Sequence, residues 1–221
     1  MSILDVRSVK YVYQSKYQLT HALNGVNCSF SMGKFYVIEG RSGSGKTTLL
    51  SLLAGLDLPS EGEILFDNIS YSEMDREKLR REKIAIVFQT FNLFPLMTVL
   101  ENVMFPMQIL GKSNMECKQQ ARELIESVGL DTSMLNKYPK MLSGGEQQRV
   151  AIARALASGA KIILADEPTG NLDSVNANKI VRLLKKLVIE KKYCVILVTH
   201  DKNISEQADI VYQMSDGIVI E

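Results

Sequence analysis

The sequence predicts an α/β protein centred on a parallel β-sheet, and three observations carry that prediction. Four runs, at residues 35–38, 84–88, 162–165 and 195–198, are continuously apolar instead of alternating, as strands buried on both faces should be. Each run ends in glycine or polar residues: Gly40 after the first, Gln89 after the second, Asp166 and Glu167 after the third, Thr199 and His200 after the fourth. Open parallel sheets bind ligands beyond the carboxyl ends of their strands, so four polar strand ends converge on one site. Finally, "FYVIEGRSGSGKTTLL" reads as strand, glycine loop and helix without interruption.

The remaining elements follow in order. Short β segments at 3–9, 26–30 and 62–66 surround the first apolar run and point to a smaller β layer. Between the second and third runs, "MECKQQARELIESVGL" has helical periodicity, with Gly129 placed to end it. "YQMSDGIVI" reads as a hairpin turning at Asp216 and Gly217. There is no internal repeat and no low-complexity tract. With 221 residues, 46% hydrophobic and 23% charged, the chain is expected to form one domain with a substantial core. A net charge of +1 argues against a general nucleic-acid binder. Cys28, Cys117 and Cys194 lie far apart, with neither metal-ligand nor disulfide spacing, so a reduced cytosolic setting is expected. "MSILDVRSVK" has no apolar signal region, and no run approaches the ~18 apolar residues of a membrane span. A membrane role therefore requires a second chain.

The chemistry lies in the strand ends. "GRSGSGKT", residues 40–47, has the phosphate-loop spacing G-x-x-x-x-G-K-[ST] in the required strand-to-helix context. Backbone N–H groups of Gly40, Arg41, Ser42, Gly43, Ser44 and Gly45 would wrap phosphates, Lys46 would supply a point charge, and Thr47 would ligate Mg²⁺, with Thr48 following. In "ILADEP", Asp166 would orient the metal and Glu167 would polarise an attacking water. Taken alone, that pair would read as two solvated acids; beside a phosphate loop it reads as a catalytic pair. Gln89 can reach metal and water, and His200 can donate to a γ-phosphate oxygen. His21 has no such position and reads as a surface residue. "LSGGEQQR" adds a second feature: Ser143 and Glu146 are spaced as a capping box, yet Gly144 and Gly145 between them are each about 1 kcal/mol worse than alanine inside a helix. A plain cap leaves both glycines unexplained, whereas a bare helix N-terminus suits an approaching anion.

With Gly40 to Thr47 come Gln89, "LSGGEQQR", "IILADEP", "GNLD" and His200, in the order and spacing of the ATP-binding-cassette ATPases, and the chain resembles that family over its whole length. The resemblance implies ATP and Mg²⁺ as ligands. It implies an ABC-type P-loop NTPase fold, with an F1-like core, an antiparallel β subdomain and a helical subdomain inserted at about residues 90–160, the whole of 1–221 being one nucleotide-binding domain. It also implies a head-to-tail dimer with a second copy, in which Ser143, Gly144, Gly145 and Glu146 of one subunit face the γ-phosphate held by the other. "GNLD", ending at Asp173, would cross between the two sites. Tyr13 is similar to the aromatic that stacks on adenine, with Tyr11 and Tyr17 close by as alternatives.

"FQTFNLFPLMTVLENV" and "LADEPTGNLDS" resemble the cassettes of lipoprotein release, macrolide export, antimicrobial-peptide resistance and cell division. That implies a separate permease with a large extracytoplasmic domain, and attachment at the cytoplasmic face of the membrane. The chain ends at Glu221, so no regulatory domain of the importer kind is expected. Two functions fit: an ATPase powering export or extraction of a membrane-associated substrate, or one signalling to an outer domain without transport. The apolar cluster Phe91, Leu93, Phe94 and Leu96 is expected to meet the permease, with Phe91 and Phe94 as its exposed members.

Overall fold

The structure, a computed structural model, describes residues 2–14 and 18–220. In chain order, β1 (Leu4–Gln14) and β2 (Leu19–Phe30) are followed by β3 (Phe35–Glu39), α1 (Lys46–Leu53), β4 (Glu61–Phe66) and β5 (Ile69–Ser70). Next come α2 (Arg76–Glu82), β6 (Ile84–Val87), α3 (Val99–Ile109), α4 (Asn114–Ser127) and α5 (Gly144–Ala157). The chain closes with β7 (Ile162–Asp166), α6 (Ser174–Lys191), β8 (Cys194–Thr199), α7 (Lys202–Ser205), β9 (Ile210–Ser215) and β10 (Ile218–Ile220).

Two sheets form. One, in the order β2-β1-β4-β5, is antiparallel; the other runs β10-β9-β3-β8-β7-β6. The pairs β9-β3, β3-β8, β8-β7 and β7-β6 are all parallel, so the four predicted strands lie side by side with their carboxyl ends on one edge. Strand periodicity explains why they read as uninterrupted apolar runs. Phe35, Val37, Ile163, Ala165, Val195 and Leu197 face a core built with α3 to α6. Tyr36, Ile38, Ile162, Leu164, Ile196 and Val198 face the other core, beneath α1 and the antiparallel sheet. All three cysteines are buried thiols, and burial pushes Cys28 and Cys194 up to about 12.

The structure departs from the sequence reading in the β layer. β1 and β2 run well beyond the short segments expected, because register shifts between Val6 and Val9 and again near Tyr11 break the alternation of β1. α2 was invisible for a different reason: of "REKLRRE" only Leu79 is buried, so no apolar period exists to detect. The hairpin turns where expected, with Asp216 (φ 50) and Gly217 (φ 78) both left-handed as a tight two-residue turn requires.

α3, α4 and α5 fall between residues 90 and 160, and each opens with a capping box: Thr98 with Glu101, Ser113 with Glu116, Ser143 with Glu146. Donors on the capping residues hold the carboxyls of Glu101, Glu116 and Glu146 below their usual range. A carboxyl lowered by folding contributes stability that is present above its unfolded pKa and lost as pH falls through the folded one. The melting temperature is therefore expected to fall as pH drops from about 5 towards 3, and Glu116→Gln should flatten the lower part of that curve. Melts followed by circular dichroism at constant ionic strength measure it; a temperature independent of pH across this window would contradict it.

Candidate nucleotide site

The glycine loop is squeezed from behind. A Cβ on Gly40 would lie 2.3 Å from the Met214 carbonyl oxygen, and one on Gly45 2.5 Å from that of Ala22. The β9–β10 turn buttresses the loop directly, the Gly217 N–H donating to the Ser44 carbonyl over 3.1 Å, while Asn24 holds the turn through its backbone N–H and its side-chain amide. The exposed side of the loop consists of Arg41, Ser42 and Gly43. Ser44 is buried and its Oγ has no hydrogen-bond partner, an orphaned polar atom in a loop whose backbone is shaped for an anion. Lys46 is buried too, and its Nζ donates to the carbonyls of Gly40 and Arg41, 2.8 Å each. Burial lowers the Lys46 pKa, with the carboxylates of Glu167 and Asp166 acting in the opposite direction.

Two residues expected from sequence to hold a metal are brought together from α1 and the end of β7. The Thr47 hydroxyl donates to Asp166 Oδ1 over 3.3 Å, although the residues are 119 apart in the chain. Burial raises the Asp166 carboxyl; the Thr47 hydroxyl opposes the shift and the neighbouring Glu167 charge adds to it. A hydroxyl and a carboxylate made reluctant to ionise are a fitting pair of oxygens for a hard divalent cation, which would restore the charge. The phosphate loop and this pair thus fit a nucleoside triphosphate with Mg²⁺.

Glu167 follows β7 at φ 42, a strained setting for a residue with a side chain. Its backbone is tied at both ends: its N–H donates to the Val198 carbonyl over 3.0 Å, and its carbonyl accepts from Gly170 over 3.0 Å. His200 Nδ1 lies 3.1 Å from Glu167 Oε1, so the histidine expected to face a phosphate also orients the carboxylate beside it. Gln89 packs against the loop at residues 170–173, where a Cβ on Gly170 would meet Gln89 Nε2 at 2.6 Å and Asn171 Nδ2 donates to the Gln89 carbonyl over 3.0 Å. Strand ends and loop form a single cluster.

A profile described as ABC transporter matches residues 23–170 of this chain. The chain belongs to the ABC transporter ATP-binding family. It is 43% identical to the uncharacterized ABC transporter ATP-binding protein YclH of Bacillus subtilis, over 98% of this chain and 95% of that one. The dimeric structure of the cassette MJ0796, from Methanocaldococcus jannaschii, superposes with a TM-score of 0.91 at 43% identity, covering 99% of this chain and 97% of that one. A second dimeric structure of MJ0796 holds ADP and Pi in a post-hydrolysis state, at 42% identity. The macrolide export ATP-binding/permease protein MacB of Rhodopirellula baltica is 44% identical over 90% of this chain, which spans only 30% of that longer protein. Like its family, the chain is an ATPase.

Within this ABC cassette, two sequence expectations change. Gly144 and Gly145 are not left unexplained by a helix cap, because the chain's own packing is tight against both positions. A Cβ on Gly145 would lie 3.0 Å from the Asn176 side chain, and one on Gly144 3.3 Å from Leu172. Ser143 nonetheless stays exposed at the helix start, with the capping box made and Glu146 held by it. Asp173 in turn caps α6 by accepting from the N–H groups of Val175 and Asn176.

The apolar cluster after Gln89 also divides differently from the expectation. Phe91 is half-buried, its ring 3.7 Å from where a Gly144 Cβ would stand, and Leu93 packs into the core. Phe94 instead walls a groove of about 390 Å³ with Ile84, Phe105, Ile109, Arg81 and Arg154. The most exposed member is Leu96, at 90%. Asn102, fully buried, stitches this loop together: its amide accepts from the Phe94 N–H and donates to the carbonyls of Phe94, Met97 and Thr98. Asn102 and Arg154 were missed by the sequence reading; a buried asparagine in the apolar stretch "VLENVMF" was the one available signal. Tyr13 is half-exposed, edge-on to Tyr11, with its hydroxyl 3.2 Å from Thr48 Oγ1 on α1. The Tyr11 hydroxyl is spent on Asp57, and Tyr17 lies outside the described residues.

Proposed function

We propose that this ATPase powers a separate membrane permease, working as a head-to-tail dimer and exporting or extracting a membrane-associated substrate such as a lipoprotein, an antimicrobial peptide or a drug. One observation carries the reading: the segment that starts at Gln89, beside the phosphate site, continues directly into the wall of an apolar groove. Groove and nucleotide are then read by consecutive residues, which is what coupling hydrolysis to a partner requires. The dimers of MJ0796 support the pairing, and MacB, an ATP-binding/permease protein, supports a permease as the partner. No helix among the described residues is long and apolar enough to cross a membrane. In this reading the chain attaches at the cytoplasmic face through the permease, which carries a large extracytoplasmic domain.

In this reading the loop N–H groups, Ser44 and Lys46 hold the phosphates, Tyr13 stacks on adenine, and Thr47, Asp166 and Gln89 hold Mg²⁺, which when bound neutralises phosphate charge. Glu167, oriented by His200, takes the proton of the attacking water. Ser143 and Gly144 of the second copy close the site with a helix N-terminus, whose exposed N–H groups suit an anion.

The test is reconstitution with the permease encoded beside this chain's gene. ATP hydrolysis in proteoliposomes should rise when that permease is present, and Phe94→Glu, which puts a charge in the apolar groove, should prevent the two from co-purifying. Co-purification unaffected by Phe94→Glu would move the interface elsewhere, and no association with any wild-type chain would end the proposal.

A further inference from the structure

The turn that follows Gln89 is held in a conformation its residues disfavour. Phe91 (φ 59) and Asn92 (φ 47) are consecutive left-handed residues, and for a bulky side chain such as phenylalanine that is rare. In an extended chain successive carbonyls point to opposite sides, but in a helical turn of either hand they point the same way. A flat fork of donors can then take both. Arg154 does so: Nη1 donates to the Asn92 carbonyl over 2.7 Å and Nη2 to the Phe91 carbonyl over 3.1 Å.

The same guanidinium lies 5.5 Å from the centre of the Phe94 ring, whose other neighbour is Phe105 at 4.7 Å. Arg154 therefore touches the groove wall with one surface and the Gln89 turn with its donors. It stands on α5, the helix whose first residue, Gly144, lies beside the Phe91 ring, which a Cβ there would approach to 3.7 Å. The turn after Gln89, the groove and α5 are joined through one half-buried side chain.

We propose that Arg154 is a positioning residue for ATP hydrolysis, clamping the left-handed turn at 91–92 and so fixing the placement of Gln89. This rests on the reading of Gln89 as a residue that reaches the metal and the attacking water. Lysine retains the charge of arginine but cannot fork onto two carbonyls, which makes Arg154→Lys the informative change. Glycine takes a left-handed φ without strain, so Asn92→Gly should lessen the need for the clamp at one of the two residues while retaining the backbone carbonyl.

The experiment compares Arg154→Lys, Asn92→Gly and the double variant in the full chain. Three readouts are taken: amide hydrogen exchange across residues 89–94 without nucleotide, the KM and kcat for ATP, and the melting temperature. Arg154→Lys should speed exchange in that segment, leave KM unchanged and lower kcat roughly three- to thirtyfold. Adding Asn92→Gly should recover part of the slow exchange and part of kcat. Wild-type exchange and kcat in Arg154→Lys would overturn the proposal. So would a kcat that falls only in step with melting temperature and is not rescued by Asn92→Gly, since that marks a packing role alone. Gln89→Ala separates the layers: wild-type kcat there would refute the reading of Gln89, whereas a low kcat there with a normal Arg154→Lys would refute only the clamp.

Discussion

Glu167→Gln is expected to keep ATP bound and to slow hydrolysis by about 10²- to 10⁴-fold, the usual loss when a positioned general base is removed. That corresponds to about 3–5 kcal/mol of transition-state stabilisation. Glutamine matches glutamate in shape, so the strained backbone at φ 42 and its ties to Val198 and Gly170 are retained. The phosphate loop, built on a different strand, is untouched. ATP held without turnover should accumulate the proposed dimer, because a ligand stabilises the state that binds it better. Single-turnover hydrolysis and light scattering measure the two halves of this prediction. A wild-type rate would remove Glu167 as the base. Lys46→Ala gives the contrast, since its Nζ holds the loop itself and its loss should weaken ATP binding rather than turnover alone.

Ser143→Arg is expected to abolish ATP-driven dimerisation, and with it nearly all hydrolysis, in a chain that still folds. Ser143 is exposed at the start of α5, where a long cation would stand in the proposed contact with the second copy. The substitution also removes the capping hydroxyl that accepts from the Glu146 N–H, a loss of about 1 kcal/mol in stability. Ser143→Ala isolates that cost: it loses the cap but adds no bulk, so it should melt earlier and still dimerise with ATP. Sedimentation of both variants in the Glu167→Gln background decides the matter. Dimers from Ser143→Arg would place the contact elsewhere, and monomers from both variants would assign the effect to the cap.

How much of this was legible beforehand follows from the range of the interactions. Lys46, Thr47 and the glycines between Gly40 and Gly45 declared themselves because a phosphate loop is a local device, complete within one strand, one turn and one helix. The four sheet strands did so because burial on both faces makes every residue apolar, a pattern readable along the chain. Capping at Ser143 and turning at Asp216 and Gly217 are likewise settled within a few residues. The family itself was legible, since its motifs are local and occur in fixed order.

Other features depend on residues that meet only after folding. Asn171 reaches the Gln89 carbonyl from 82 positions away, and Arg154 reaches the Phe91 carbonyl from 63. Nothing near Arg154 in sequence separates it from any basic residue late in a helix. Whether Phe91 or Phe94 walls the groove depends on the left-handed turn at Phe91 and Asn92, whose carbonyls Arg154 binds. The tight fit at Gly145 comes from the Asn176 side chain, brought close by the packing of α5 against α6. Sequence spacing records which side chains share a strand face or a helix stripe, because those periods are set by backbone geometry. Which stripe meets which is set by the packing of whole elements, and that packing exists only in the folded chain.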